Sequence, residues 1–254
     1  MPLLLSIANQ KGGVGKTTTA INLGASLAIL GKRVLLVDMD PQGNASTGVG
    51  VPRGDRAVTS YDVLMGNALL SDAITGTSFK SMDIVPGTSD LSSVDIELAT
   101  ESARVGRLRS AVNSQAAAAY DFILLDCPPS LNLLTINALV ASDAVLVPLQ
   151  CEFFALEGIT QLLQTISEVR NSSNSHLRTQ GVVLTMYDQR NRLTLDVEAD
   201  VRETLGDLVF KTVIPRNVRL SEAPSHGVPA LVYDPRSTGA LAYLDLAKEL
   251  LKRI

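Results

Sequence analysis

The sequence predicts an α/β fold in which a mostly parallel, twisted sheet carries helices on both faces. Short apolar runs alternate along the chain with stretches whose apolar residues recur at helical spacing. Several of the apolar runs are continuous, as is typical of strands that are buried on both faces. Strands that alternate with helices form parallel sheets, because each crossover helix returns the chain to the same edge of the sheet.

The apolar runs and the stretches with helical spacing predict seven strands and six helices. Strands are predicted at residues 3–8, 33–38, 83–86, 122–126, 144–149, 181–186 and 211–214. Helices are predicted at residues 16–30, 101–118, 131–141, 156–170, 193–205 and 238–252. Residues 43–54 and 171–175 are the most loop-like stretches. We expect one domain over residues 1–254, since no repeat or low-complexity linker interrupts the pattern.

Composition narrows the class of protein. The chain has 254 residues, of which 46% are hydrophobic, and this is enough for one large core. The lack of a long apolar window argues against a transmembrane helix, and an immediate first strand argues against a targeting segment. Two cysteines fit a reducing compartment. The net charge is −4, but residues 170–254 carry 12 basic and 10 acidic residues, which weakly indicates an anionic partner there.

A glycine-rich loop lies between the first predicted strand and the first predicted helix. Residues 11–18 read KGGVGKTT, a P-loop of the G-x-x-x-x-G-K-[ST] type, although Gly12 stands closer to Lys16 than in that template. The glycines let several backbone N–H groups point at one anion. Lys16 is placed to reach the outer phosphates of a nucleotide, and Thr17 to bind Mg²⁺. A chance glycine-rich turn is the alternative. The predicted phosphate-binding residues here are Gly12, Gly13, Val14, Gly15, Lys16, Thr17 and Thr18.

Acidic residues end two of the predicted strands. Asp126 closes the run at 122–126, where a carboxylate can hold a Mg²⁺-bound water. Asp38 and Asp40 close the second strand, and strand alternation puts both on one face, where they could serve a metal or an attacking water. The alternatives are an acid that merely ends a strand, and a turn cap at Asp40 before Pro41. Ligands bind at the carboxyl ends of parallel strands, so we expect a nucleotide site with Thr17, Asp126 and Asp38 near the metal.

These motifs resemble those of one class of ATPases. KGGVGKTT, with its first lysine at Lys11, resembles the deviant Walker A motif of the ParA/MinD class. The segments VDMDPQGN at 37–44, ILLDCPPS at 123–130 and VIPRNVRLSEAPSHG at 213–227 are most similar to chromosomal, Soj-type ParA partition ATPases. The resemblance extends over essentially the whole chain.

The resemblance implies roles for particular residues. Lys11 would cross a dimer interface to the partner's nucleotide, Lys16 would neutralise the phosphates, and Asp40 would position or deprotonate the attacking water. Pro215 and Asn217 would hold the adenine, with Asn217 as a helix N-cap being the alternative. The family properties implied are slow, Mg²⁺-dependent ATP hydrolysis and a homodimer in the ATP state.

The resemblance also implies partners. Basic residues in corresponding regions of partition ATPases bind double-stranded DNA without sequence preference, mainly through phosphates. A ParB-type centromere-binding protein stimulates hydrolysis, and the protein is cytoplasmic and nucleoid-associated. The absence of a long extension before residue 3 favours the chromosomal type. A solvated surface charge is the alternative for each of the candidate DNA-binding residues, which are Arg190, Arg192, Arg219, Lys248 and Lys252.

Other members of this class suggest different functions. A MinD-like membrane ATPase would need an amphipathic anchor, and residues 240–254 carry an apolar stripe, but such stripes more often pack in a core. An electron-transfer protein would need a shared cluster, whereas Cys127 and Cys151 are more typical of buried small residues. A metabolic kinase would need a substrate pocket that no motif identifies. His176 and His226 lack metal-ligand spacing.

Overall fold

A computed structural model describes residues 1–152 and 154–254 and shows one sheet of seven strands. The strands are β1 (Leu3–Ile7), β2 (Val34–Asp38), β3 (Thr75–Gly76), β4 (Met82–Val85), β5 (Phe122–Asp126), β6 (Ala144–Gln150) and β7 (Arg178–Thr185). Their order across the sheet is β3-β4-β2-β5-β1-β6-β7. All neighbouring pairs are parallel except β3 with β4, which are antiparallel. The predicted fold class is therefore confirmed.

Helices lie between and after these strands. Those within the described residues are α1 (Lys16–Ile29), α2 (Asn44–Gly48), α3 (Ser60–Met65), α4 (Leu70–Ala73), α5 (Val94–Glu97), α6 (Arg107–Val112), α7 (Leu133–Ala141), α8 (Ala155–Ser172), α9 (Arg192–Leu205), α10 (Val218–Glu222), α11 (Ala230–Tyr233) and α12 (Thr238–Arg253). Five of the predicted long helices agree with α1, α7, α8, α9 and α12 to within two residues at each end.

Two apolar cores lie on opposite faces of the sheet. Alternation along β2 sends Leu35 and Val37 into one core and Val34 and Leu36 into the other. The first core is closed by α7, α8 and α9, and the second by α1 and α12. With both faces covered, the central strands have no solvent-facing side, which explains their continuous apolar sequences.

The predicted strand at residues 211–214 is wrong. That segment makes isolated bridges at its two sides, Val182 to Val209 and Tyr187 to Pro215, but no strand. The carboxylate of Glu249 on α12 accepts hydrogen bonds from the backbone N–H groups of Lys211 (2.9 Å) and Thr212 (2.9 Å). These N–H groups therefore bind a side chain and not a neighbouring strand.

Two further local predictions need correction. Residues 101–118 form no single helix: a 3-10 turn at Arg104–Gly106, α6 and a second 3-10 turn at Ala117–Ala119 replace it. Residues 43–54, expected to be loop, contain α2 and the 3-10 turn Arg53–Asp55. The short edge strand β3 and the helices α3, α4, α5, α10 and α11 have too few residues for a periodic signal.

Both cysteines are free and buried. Burial raises the pKa of the Cys127 thiol to about 12 and that of Cys151 to about 11. Thiols in such surroundings are unreactive. Among the described residues, no helix is long and apolar enough to cross a membrane.

Candidate active site

The loop between β1 and α1 folds around its own lysine. Gly13 and Gly15 have φ of 75° and 88°, a region that strains any residue with a Cβ. The Lys16 ammonium donates to the Lys11 carbonyl oxygen over 2.9 Å, and Lys16 is only 6% exposed. Burial lowers the pKa of Lys16, while the charge of Asp126 opposes that shift. The result is a buried cation inside a ring of backbone groups, which is suited to a polyphosphate.

Neighbouring strands hold this loop in place. The Thr185 hydroxyl at the end of β7 donates to the Val14 carbonyl over 2.8 Å. The Asn9 amide donates to the Pro148 carbonyl on β6 (2.8 Å), and its oxygen accepts from the Lys11 N–H (3.0 Å). These hydrogen bonds hold the loop at Lys11, just before the glycines, and at Val14, between them.

Asp126 is a buried carboxylate without a hydrogen-bond partner. Both of its side-chain oxygens are fully buried, and neither is hydrogen-bonded within the described part of the chain. The Thr17 hydroxyl lies close enough to lower the pKa of this carboxyl, but outside hydrogen-bond geometry. Burial and the charge of Asp38, its neighbour in register, raise the pKa well above its ordinary value. Buried polar groups rarely lack partners, and a carboxylate beside a threonine hydroxyl is an oxygen set that fits hydrated Mg²⁺.

Asp38 has its hydrogen bonds satisfied by the protein. One oxygen accepts from the Ser46 N–H (2.9 Å) and the Ser46 hydroxyl (2.6 Å), and the other from the Asp40 N–H (3.2 Å). Burial raises the pKa of Asp38 to about 6, although the bonds from Ser46 oppose this shift. Asp38 is thus held by its surroundings, which fits a supporting role beside Asp126.

A cavity of about 330 Å³ opens over the glycine-rich loop. Asp40 lies in its wall and is 8% exposed, with one oxygen accepting from the Gln42 N–H over 2.9 Å. Asp40 therefore lines the same cavity as Lys16, Thr17 and Thr18. The lining residues are Gly13, Gly15, Lys16, Thr17, Thr18, Asp40, Gln42, Asn44, Pro129 and Met186.

A second cavity of about 110 Å³ adjoins the first. Pro215 and Asn217 line it, together with Gly15, Thr18 and Met186 from the same region. The Asn217 side chain is committed to structure, since its oxygen accepts from the Arg219 N–H (2.9 Å) as the N-cap of α10, and its amide donates to the Thr238 hydroxyl (2.9 Å). A base in this cavity would therefore meet Pro215 and backbone groups before the Asn217 amide.

Lys11 lies outside both cavities of its own chain. Its ammonium forms an ion pair with Glu152, and both side chains are partly exposed, at 40% and 43%. The structure thus brings together the glycine run, Lys16, Asp38, Asp40 and Asp126, while the Lys11 side chain stays on the surface.

The predicted basic residues lie in the loop after β7, at the start of α9, and on α10 and α12. Arg190 is 85% exposed but pairs with Asp188, and Lys248 pairs with Asp245. Arg219 pairs with Glu222 (2.7 Å) and Asp234 (3.4 Å). Arg192 and Lys252 are exposed and have no ion pair in the described structure.

A groove of about 580 Å³ connects part of this surface with the base cavity. Arg190 and Arg216 line it with Leu241 and Asp245 of α12 and with Pro215.

Arg216 was missed in the sequence, although it directly follows Pro215 there. Gln42, Asn44 and Pro129 were also missed as cavity residues, although each stands within a quoted motif. Met186, which directly follows β7 and has a φ of 49°, belongs to no motif of the sequence.

In this parallel sheet β1 leads into a glycine-rich loop with a buried lysine, and the neighbouring strands β2 and β5 end in buried aspartates. This arrangement is typical of the P-loop class of nucleoside triphosphatases. The sequence model of AAA_31, an AAA domain family, matches residues 3–179. The chain is 59% identical over 251 residues to the chromosome partitioning protein ParA of Caulobacter vibrioides, covering 98% of this chain and 94% of that one. It is 53% identical to the sporulation initiation inhibitor protein Soj of Bacillus subtilis, with 98% of each chain covered.

A solved structure shares the architecture. Cobyrinic acid a,c-diamide synthase from Mycobacterium smegmatis, with bound ADP and magnesium, is 37% identical with a TM-score of 0.87, covering 99% of this chain and 95% of that one. The relatives and the family model described above show that the chain belongs to the ParA/Soj family of chromosome-partitioning ATPases.

Proposed function

We propose that this Mg²⁺-dependent ATPase acts as a switch that dimerises with ATP, binds DNA without sequence preference and segregates chromosomal cargo. The observation that carries the proposal is a cavity lined by the buried Lys16 and by Asp40, with the unpartnered, buried carboxylate of Asp126 close enough to Lys16 for its charge to oppose the lowering of the lysine pKa. The relatives named for chromosome partitioning support the cellular role.

Each residue of the site has a separate role in phosphoryl transfer, a reaction that depends on positioning and charge stabilisation. Lys16 and the backbone N–H groups of the glycine run hold the phosphates. Thr17 would bind Mg²⁺ through its hydroxyl and Asp126 would hold a metal-bound water, with Asp38 in support, and the ion would supply positive charge to the phosphates. Asp40, whose carboxylate faces the same cavity, orients or deprotonates the attacking water. Pro215 lies against the base.

The position of Lys11 supports the proposed dimer. Its ammonium is on the surface and paired with Glu152, so it adds no charge to the cavity of its own chain. In the ATP-bound dimer Lys11 exchanges this partner for the phosphates of the other subunit, in the manner of an arginine finger. Each site is then complete only in the dimer, and hydrolysis releases it.

DNA binding uses the basic residues of the loop after β7, the start of α9, α10 and the second half of α12. The candidates Arg190, Arg192, Arg219, Lys248 and Lys252 include three residues whose ion pairs with acids must be exchanged for phosphate contacts. A chain with net charge −4 presents only a modest basic patch, and dimerisation doubles it. We further propose one domain over residues 1–254, a ParB-type activator, and a cytoplasmic, nucleoid-associated location.

The MinD-like alternative depends on α12 as a membrane anchor. In the structure Tyr243, Leu246 and Leu250 of α12 are buried in the core. This helix face packs against α1, so only Leu241 and Ile254, which are exposed, remain from the predicted stripe.

The experiment is binding to random-sequence duplex DNA with ATP and with ADP over a salt series. We expect ATP-dependent binding that weakens steeply with salt, and a smaller salt slope, by about one for each lost phosphate contact, in Arg190→Gln and Arg192→Gln. Arg178→Gln is the matched control, because Arg178 is an exposed arginine at the opposite end of β7. Absence of DNA binding in both nucleotide states contradicts the partition role, and binding to anionic vesicles would then favour the membrane alternative.

A further inference from the structure

Arg56 is a buried arginine that no motif of the sequence singled out. It is 8% exposed and forms no ion pair in the described part of the chain. Its guanidinium donates to the Val51 carbonyl (2.9 and 3.2 Å), the Gly87 carbonyl (2.8 Å) and the Thr47 hydroxyl (2.7 Å). Arginine stays charged when buried. The hydrogen bonds to carbonyl oxygens from two loops therefore offset the free energy lost when the guanidinium leaves water.

Hydrogen bonds connect Arg56 to Asp38. The Gly87 peptide accepts from Arg56 at its oxygen, and its N–H donates to the Ser46 hydroxyl over 3.0 Å. That hydroxyl in turn donates to the Asp38 carboxylate over 2.6 Å. The chain of contacts therefore runs from a buried cation through one peptide and one hydroxyl to a buried acid of the active site.

Arg56 also fixes the segment that carries Asp40. The Thr47 hydroxyl, which accepts from Arg56, donates to the Gly43 carbonyl at the start of α2 (3.2 Å). The Gly43 N–H donates to the Asp40 carbonyl over 2.9 Å. Packing is close, because a Cβ at Gly43 would lie 2.1 Å from the Arg56 guanidinium. The loop from Asp40 to Val51 is thus anchored at its far end by the Arg56 guanidinium.

We infer that Arg56 is a positioning residue for ATP hydrolysis, which through Ser46 and Gly87 fixes Asp38 and through Thr47 fixes the segment bearing Asp40. This inference rests on the proposed function, because it assumes that Asp40 acts on the attacking water. Arg56 touches neither cavity, so nucleotide binding by the glycine-rich loop does not depend on it.

The first test separates turnover from binding in Arg56→Gln, Arg56→Lys and Ser46→Ala. Arg56→Gln should lower kcat about tenfold or more while ADP affinity stays within about threefold. Lysine should not rescue, because one ammonium cannot span three acceptors in the geometry of the guanidinium fork. The double variant Arg56→Gln/Ser46→Ala should be no slower than the more damaged single variant, because the two side chains act in one chain of contacts. The matched control is Arg53→Gln, an exposed arginine in the same turn, which should match wild type.

The second test does not use activity. Hydrogen exchange of the ADP-bound protein should show faster exchange over residues 40–51 in Arg56→Gln, with α1 unchanged. Folded variants with wild-type kcat and unchanged exchange would overturn the inference. So would a parallel loss of kcat, ADP binding and protection throughout the protein, which indicates a general role in stability. If wild type itself does not hydrolyse ATP, the proposed function fails, and the exchange measurement still decides whether Arg56 orders the segment.

Discussion

The buried acids at the ends of β2 and β5 should make the ligand-free protein less stable as the pH rises through the range of the Asp38 titration. The pKa of Asp38 is about 6 in the folded chain against an ordinary value of 3.8. Between these values the folded state binds more protons than the unfolded state, so stability falls as pH rises. The difference between pKa values of about 6 and 3.8 corresponds to about 3 kcal/mol in the free energy of unfolding. This stabilisation is lost once the pH exceeds the pKa of Asp38 in the folded state.

Asp38→Asn removes this titration and leaves the shape of the side chain nearly unchanged. Its cost is a pH-independent offset of about 1 kcal/mol, since the amide cannot accept both the Ser46 and the Asp40 hydrogen bonds. The assay is urea unfolding of both proteins with a chelator and without nucleotide, from about pH 4 to about pH 7. Wild type should lose about 3 kcal/mol more than Asp38→Asn over this range. Asp55→Asn, at an exposed acid, is the control and should follow wild type.

Parallel curves for wild type and Asp38→Asn would refute the reasoning. They would mean that water or a rearranged Ser46 solvates the Asp38 carboxylate, which the static hydrogen bonds do not show. Asp126 contributes a loss in the same direction in both proteins, because burial raises its pKa in each, and the loss is larger in wild type, where the charge of Asp38 raises that pKa further.

Three further predictions concern single side chains. Lys11→Ala should keep ADP affinity within about threefold but weaken the ATP-dependent dimer by light scattering; an unchanged dimer would show that Lys11 does not cross the interface. Asp40→Ala should bind ATP yet hydrolyse it at least about a hundredfold more slowly and persist as a dimer, and normal turnover would exclude Asp40 from catalysis. Glu249→Gln should cost about 1–3 kcal/mol in urea unfolding, because it weakens two backbone hydrogen bonds and a partly buried ion pair with Arg253. Asp245→Asn, at an exposed pair on the same helix, is its control and should cost less.

Most of the sheet could be predicted because its strands are buried on both faces. The strand Phe122–Asp126 was predicted with its observed bounds, since its apolar run at 122–125 lies between two aspartates, Asp121 and Asp126. The segment at 211–214 has the same local character but binds Glu249, which lies more than 30 positions later. No local pattern contains that information.

In the site, too, residues that belong to a motif could be predicted from the sequence, and residues placed only by tertiary contacts could not. The sequence could predict that the glycine run, Lys16 and Asp126 lie together, because nucleotide binding requires these residue types at a strand–loop–helix junction and at a neighbouring strand end. Arg56 was missed because a single arginine in a loop has no periodicity and no motif, and only the tertiary structure brings Gly87 to its guanidinium. Likewise, the position of Lys11 beside Glu152 depends on β6 and β1 being neighbours.

The two buried thiols make this protein convenient for spectroscopy. Since neither Cys127 nor Cys151 is accessible or acidic, a cysteine introduced at the exposed Lys252 is expected to be the one site that maleimide dyes modify. A donor on one copy and an acceptor on another would then report subunit association in real time by energy transfer, with no need to replace a native residue of the core.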